Sequence, residues 1–218
     1  MKGLAVAALL LLAAPADEIT FSAASVNVAE PGTPVKIKIL RWSTEAETRP
    51  IVTALAAPPA QPSEAARANA AAAGRGRAGA GRGRGRGGPA LAPLSPIAAF
   101  TAALRRTPTL GYIWTNDVTG YSIKYAWHAT LPDGTERIIL ASDRRLGAYT
   151  DAWKPATPAT PSPETDYAFT LLELRVGPKG AIEGKTSLTN TIAVDDEAKT
   201  VALENYAGAP AILRNVRR

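Results

Sequence analysis

Hydrophobic and polar positions alternate with a period of two over much of this chain. Val35, Ile37 and Ile39 alternate with Lys36, Lys38 and Leu40. Tyr121, Ile123, Tyr125, Trp127, Ala129 and Leu131 alternate with Ser122, Lys124, Ala126, His128 and Thr130. Alternation of this kind marks a strand with one buried face. It predicts that the set beginning at Tyr121 lies on a single side of a sheet, with His128 on the solvent side. Strands are expected over 19–28, 34–42, 110–115, 121–131, 135–142, 167–176, 181–194, 200–206 and 212–216, with a short one over 149–153. Turn signals separate them: Pro31-Gly32, Asp133-Gly134, Pro178-Lys179-Gly180, Asp195-Asp196-Glu197 and Gly208-Ala209-Pro210.

Two segments break this period. Thr44 with Glu47 forms a capping box, and Ile51 and Leu55 follow at helical spacing. Pro50 either kinks that helix or begins a shorter one. Ser95-Pro96 then gives an N-cap and an N1 proline, with Ile97, Phe100 and Leu104 on one helical face. Between them, residues 57–94 are Ala, Gly, Pro and Arg without an apolar period, the composition of a disordered insertion. Short strands at regular spacing define an all-β fold. A β-sandwich or a partly open β-barrel is expected, with two short helices flanking the insertion.

The ends bear on where the chain works. Met1-Lys2-Gly3 precedes an apolar run from Leu4 to Ala14, and Ala14-Pro15-Ala16 closes it with small residues at signal-peptidase spacing. Residues 1–16 read as a cleavable signal and 17–218 as a single β-rich domain, placed in the periplasm or secreted. The apolar run is shorter than the ~20 residues of a membrane span, so no transmembrane segment is expected after cleavage. The chain has no cysteine, which excludes disulfides and thiol chemistry.

The formal charge of +6 misleads. Lys2 leaves with the signal, and Arg75, Arg77, Arg82, Arg84 and Arg86 in one Arg-Gly tract account for the remaining excess. The folded body is therefore near neutral and gives no ground for a nucleic-acid surface. The tract's five arginines are candidate anion-binding residues, with an anionic cell-envelope component as partner. Nucleic acid is not expected, because the signal removes the chain from RNA and the tract lacks Phe and Tyr.

Gly111-Tyr112-Ile113, Leu131-Pro132-Asp133-Gly134 with Ile138 to Arg144, Gly184-Lys185-Thr186-Ser187 and Leu203-Glu204-Asn205-Tyr206 resemble blocks in a group of small exported bacterial proteins with no assigned activity. The resemblance implies export and one continuous domain, and it transfers no site residues.

Motifs of catalysis fail on context. Gly74-Arg75-Gly76-Arg77-Ala78-Gly79 matches a dinucleotide pattern by letters, but no strand precedes it. Gly180 to Thr186 misses a phosphate loop by one residue and falls in an expected hairpin. His128 is the only histidine and lacks a G-x-S-x-G partner. No cofactor or metal is expected. Glu173, Glu183 and Glu204 lie on expected strands, where two could oppose each other as a hydrolase pair. Asp195-Asp196-Glu197 lacks the spaced oxygens of a calcium loop.

The aromatic residues remain. Tyr112, Trp114, Tyr125 and Trp127 fall in a short stretch and are the candidate ligand-binding residues, since aromatics on a sheet face stack on sugars or line an apolar pocket. The same residues also suit a core. Three classes follow: a non-catalytic exported module binding a cell-envelope partner or ligand, a lipocalin-like barrel holding a small apolar molecule, and a hydrolase using two carboxylates.

Overall fold

A computed structural model of the chain describes residues 18–57, 94–156, 165–177 and 182–218, the Ile182 side chain excepted. The expected signal over residues 1–16, the five tract arginines and nearly all of the 57–94 segment lie outside the described residues.

Strand β1 (Ile19–Ser25) and β2 (Pro34–Ile39) pair antiparallel from Ile19 opposite Ile39 to Ala24 opposite Pro34. Their inward residues Phe21, Val35, Ile37 and Ile39 are buried, while Thr20, Ser22 and Lys36 are exposed. β2 passes into helix α1 (Glu45–Ala56), whose capping box forms as the sequence predicts. Pro50 sits inside the helix rather than starting it. Pro50 and Ala46, four residues before it, are both exposed, so water can serve the carbonyl that loses its partner. Helix α2 (Pro96–Arg106) begins at Ser95, whose hydroxyl accepts the Ala98 N–H.

The remaining strands are β3 (Gly111–Trp114), β4 (Tyr121–Thr130), β5 (Glu136–Ser142), β6 (Leu171–Val176), β7 (Ile182–Thr186), β8 (Ile192–Asp195), β9 (Thr200–Leu203) and β10 (Leu213–Arg217). Eight of the ten strands close a barrel in the circular order β1, β10, β7, β6, β5, β4, β3, β2, and each neighbouring pair is antiparallel. The all-β expectation with two helices holds, and the barrel is closed rather than partly open. Closure leaves the barrel no free sheet edge. At this strand number the lumen is just wide enough for side chains to fill. Phe21, Ile37, Ile113, Ile123, Ile138, Leu140, Leu172, Leu174 and Val216 fill it.

A second layer covers one side of the barrel. The outward residues Tyr125, Ile139, Ala141 and Leu171 pack with Ile51 of α1, Phe100 and Leu104 of α2, and Val201 and Leu203 of the β8–β9 hairpin.

The structure corrects the single-face reading of β4. The β4–β5 register runs Ile123 opposite Ser142, then Tyr125 opposite Ala141, so Lys124 is an extra residue at a bulge. Tyr121 and Ile123 point into the barrel, whereas Tyr125 and Trp127 point outward into the second layer. The long strand expected over 181–194 is also two strands. Thr186 ends the first, its hydroxyl accepting the Leu188 N–H and its carbonyl the Thr189 N–H in a tight turn. Asp151–Trp153 is a 3-10 turn rather than a strand, capped by the Thr150 hydroxyl on the Ala152 N–H.

Candidate functional site

Tyr112 and Trp114 lie two residues apart on β3, and so on one face of it. Their neighbours Gly111 and Ile113 point inward and are buried. The two rings are 37% and 38% exposed, with centroids 5.3 Å apart. Lys38 is directly opposite Tyr112 on β2, and Lys36 opposite Trp114. Lys38 reaches Glu18 at 2.7 Å, while Lys36 has no ion pair or hydrogen bond among the described residues. The outer wall of β2 and β3 is thus an aromatic pair edged by two lysines.

Gly120 holds this platform in place. A Cβ at Gly120 would lie 2.9 Å from the Trp114 Nε1, so a larger residue there would push the indole away from its place against the β3–β4 loop. The Gly120 carbonyl, on the other hand, accepts from Arg144 Nη2 at 2.6 Å. Arg144 Nη2 also reaches the Thr119 hydroxyl at 2.8 Å. The guanidinium lies 4.5 Å over the Tyr121 ring. Burial, aided by a hydrogen bond to Asp117, pushes the Tyr121 hydroxyl up to about 12.

The other two aromatic candidates are elsewhere. Tyr125 is fully buried in the second layer, bonded through its hydroxyl to Thr200 at 2.6 Å, and burial raises its pKa. Trp127 is half-buried against the same layer, with the Arg137 guanidinium 5.9 Å over its ring. The structure brings Tyr112 and Trp114 together and joins neither to Tyr125 or Trp127. His128 is exposed, as expected, but stands at the opposite end of the barrel, stacked on Trp42 at 4.0 Å with Nδ1 3.4 Å from Glu136.

The carboxylates take up another arrangement. Glu173 is fully buried on the outer wall of the barrel. Arg137 Nε donates to its Oε1 at 2.9 Å, while Arg137 Nη1 reaches Asp195 at 2.7 Å. Arg175 approaches the same Glu173 oxygen at 3.4 Å. This network ties the β8–β9 turn to the barrel. A backbone hydrogen bond from Ala198 and the Arg137 contact hold the Asp195 carboxyl below its ordinary range. Glu204 instead bonds Thr191, and Glu183 pairs with Lys185 at 3.2 Å. Among the described residues no cluster of three or more His, Asp or Glu side chains is placed to hold a metal ion. No helix among them is long and apolar enough to cross a membrane.

No protein-family model, no curated protein and no solved structure matches this chain.

Proposed function

We propose that the protein is an exported, non-catalytic module that binds an acidic polysaccharide of the cell envelope on the outer wall of β2 and β3. The exposed pair Tyr112 and Trp114 carries this reading. Aromatic faces outside a barrel offer a flat apolar surface to the C–H face of a sugar ring, which is amphipathic in the same way. Lys36 and Lys38 flank the pair; Lys36, with no acidic partner among the described residues, supplies charge complementary to carboxylates on the chain, while Lys38 is paired with Glu18. The filled lumen supports a surface site over a lumenal apolar ligand. The pairing of Glu173 and Asp195 with Arg137 supports binding over carboxylate hydrolysis, which needs one acid free to exchange protons.

Affinity electrophoresis tests the reading. The full chain should be retarded in gels containing polygalacturonate or hyaluronan and migrate freely in neutral dextran, and Trp114→Ala, which keeps the five tract arginines, should lose most of the retardation. The retardation should weaken as salt rises, because exposed charges are screened. Equal retardation in dextran would remove the acidic specificity, and free migration in all three would remove the function.

A further inference from the structure

Near the aromatic platform, and tied to it through the Gly120 carbonyl that accepts from Arg144, lies a pocket of about 480 Å³. Its walls are Asp117, Val118, Thr119, Arg144, Tyr149 and Thr150. The volume falls within the roughly 300–1,000 Å³ of small-ligand sites. Building on the polysaccharide reading, we propose that this pocket is a second subsite that seats a neutral sugar residue of the same chain.

Three observations carry the proposal. Arg144 is held by the Thr119 and Gly120 oxygens, which occupy its Nη2, and by the Tyr121 ring beneath it, so its Nη1 is the donor left in a fixed place for a ligand. Tyr149 is 79% exposed with its ring 5.8 Å from the Arg144 guanidinium, and Val118 is fully exposed at the rim. These two side chains are apolar surfaces with no partner in the core, facing a fixed cation. Charge then selects the sugar. Asp117 lines the pocket and Asp143 stands 3.6 Å from Arg144 Nη1. Two carboxylates against one guanidinium disfavour a further carboxylate and leave hydroxyl and amide oxygens as the groups to which Arg144 donates. The platform edged by lysines takes the acidic residue, and the pocket takes its neutral neighbour.

Gly120 makes the two subsites continuous, since its Cα side supports Trp114 and its carbonyl positions Arg144. A ligand long enough to span both should therefore bind more tightly than one filling the platform alone.

The test uses the full chain with glucuronate, which can fill the platform alone, and with hyaluronan fragments from disaccharide to octasaccharide, in which acidic and neutral sugars alternate. Oligogalacturonates of the same lengths, acidic at every unit, form the second series. Calorimetry should show hyaluronan affinity rising about tenfold with length, equivalent to ~1.4 kcal/mol. Oligogalacturonates should rise much less. Tyr149→Ala removes an exposed ring and should abolish the rise while leaving glucuronate binding intact. Trp114→Ala should weaken every length. Flat affinity across the hyaluronan lengths, or a rise that survives Tyr149→Ala, overturns the subsite. An equal rise for oligogalacturonates overturns its preference for a neutral sugar. Failure of every fragment to bind the parent chain instead defeats the platform reading, and the subsite falls with it.

Discussion

Ile123 and Tyr125 are two residues apart on β4 and face opposite sides of the barrel wall. Ile123 is sealed in the lumen, and Tyr125 is sealed under the helices and the β8–β9 hairpin. The bulge at Lys124 makes this inversion, and Lys124 is fixed there by its ammonium, which donates to the Thr109 hydroxyl at 3.1 Å and the Thr107 carbonyl at 3.3 Å. One strand thus serves two cores. Its first half closes the barrel, and its second half carries the outer layer.

Tyr125 joins that layer to the barrel through a single buried hydroxyl bonded to Thr200. Tyr125→Phe leaves the Thr200 hydroxyl short of this partner in a buried site. Chemical denaturation should show a loss of about 1 kcal/mol, the usual net worth of such a bond.

Glu173 is the centre of the other link between layers. Glu173→Ala would take from Arg137, itself largely buried, the more deeply buried of its two carboxylates and leave it paired with Asp195 alone. Breaking a buried pair from one side typically costs ~3–5 kcal/mol, and the remaining Asp195 contact should hold the loss to the low end of that range. Urea titration should show a drop of that order, whereas Glu204→Ala, at an exposed site, should change stability by less than about 0.5 kcal/mol.

Acid should destabilise the fold in a defined window. The Arg41 fork, opposed by partial burial and assisted by Thr44, holds the Glu47 carboxyl at about 2, below its ordinary 4.5. A depressed folded-state pKa contributes stability above the unfolded value, and this is lost as pH falls toward the folded one. Melting temperature should therefore decline between pH 4.5 and about 2, and Glu47→Gln should shrink the decline while lowering the plateau above it.

Gly111 lies where β2 and β3 approach most closely. A Cβ there would run into the Lys38 carbonyl oxygen and touch the Ile39 Cα, both backbone atoms that cannot swing aside. Gly111→Ala should prevent closure of β3 onto β2. Circular dichroism should show loss of the cooperative thermal transition, and a native-like transition would contradict the close approach.

Local signals in the chain were sufficient for local structure. The Thr44 and Glu47 capping box, the Ser95-Pro96 helix start and the Asp133-Gly134 hairpin turn all read correctly, because each acts within a few residues. Long-range facts were hidden. Closure depends on β1 meeting β10, two segments at the ends of the described chain whose pairing no turn enforces. The bulge at Lys124 reversed the parity on which the aromatic grouping rested, so Tyr125 and Trp127 were placed with residues they never meet. The candidate platform was half legible. The i, i+2 spacing put Tyr112 and Trp114 together, but Lys36 and Lys38 join them only through the β2–β3 register, which spans the helices and the insertion. The Arg144 pocket left no pattern at all, since its residues come from separate loops and each alone reads as an ordinary surface side chain.

The central claim is that Trp114 is part of a polysaccharide-binding surface rather than an incidental exposed ring. Calorimetric titration of hyaluronan into the parent chain, Trp114→Ala and His128→Ala measures it most directly. His128 lies seven residues beyond Tyr121 on β4, roughly 23 Å away at ~3.3 Å per residue, and serves as the remote control. Heat of binding is expected from the parent and from His128→Ala, and at least about a tenfold weaker association, ~1.4 kcal/mol, from a folded Trp114→Ala. Equal affinity in all three proteins would contradict it.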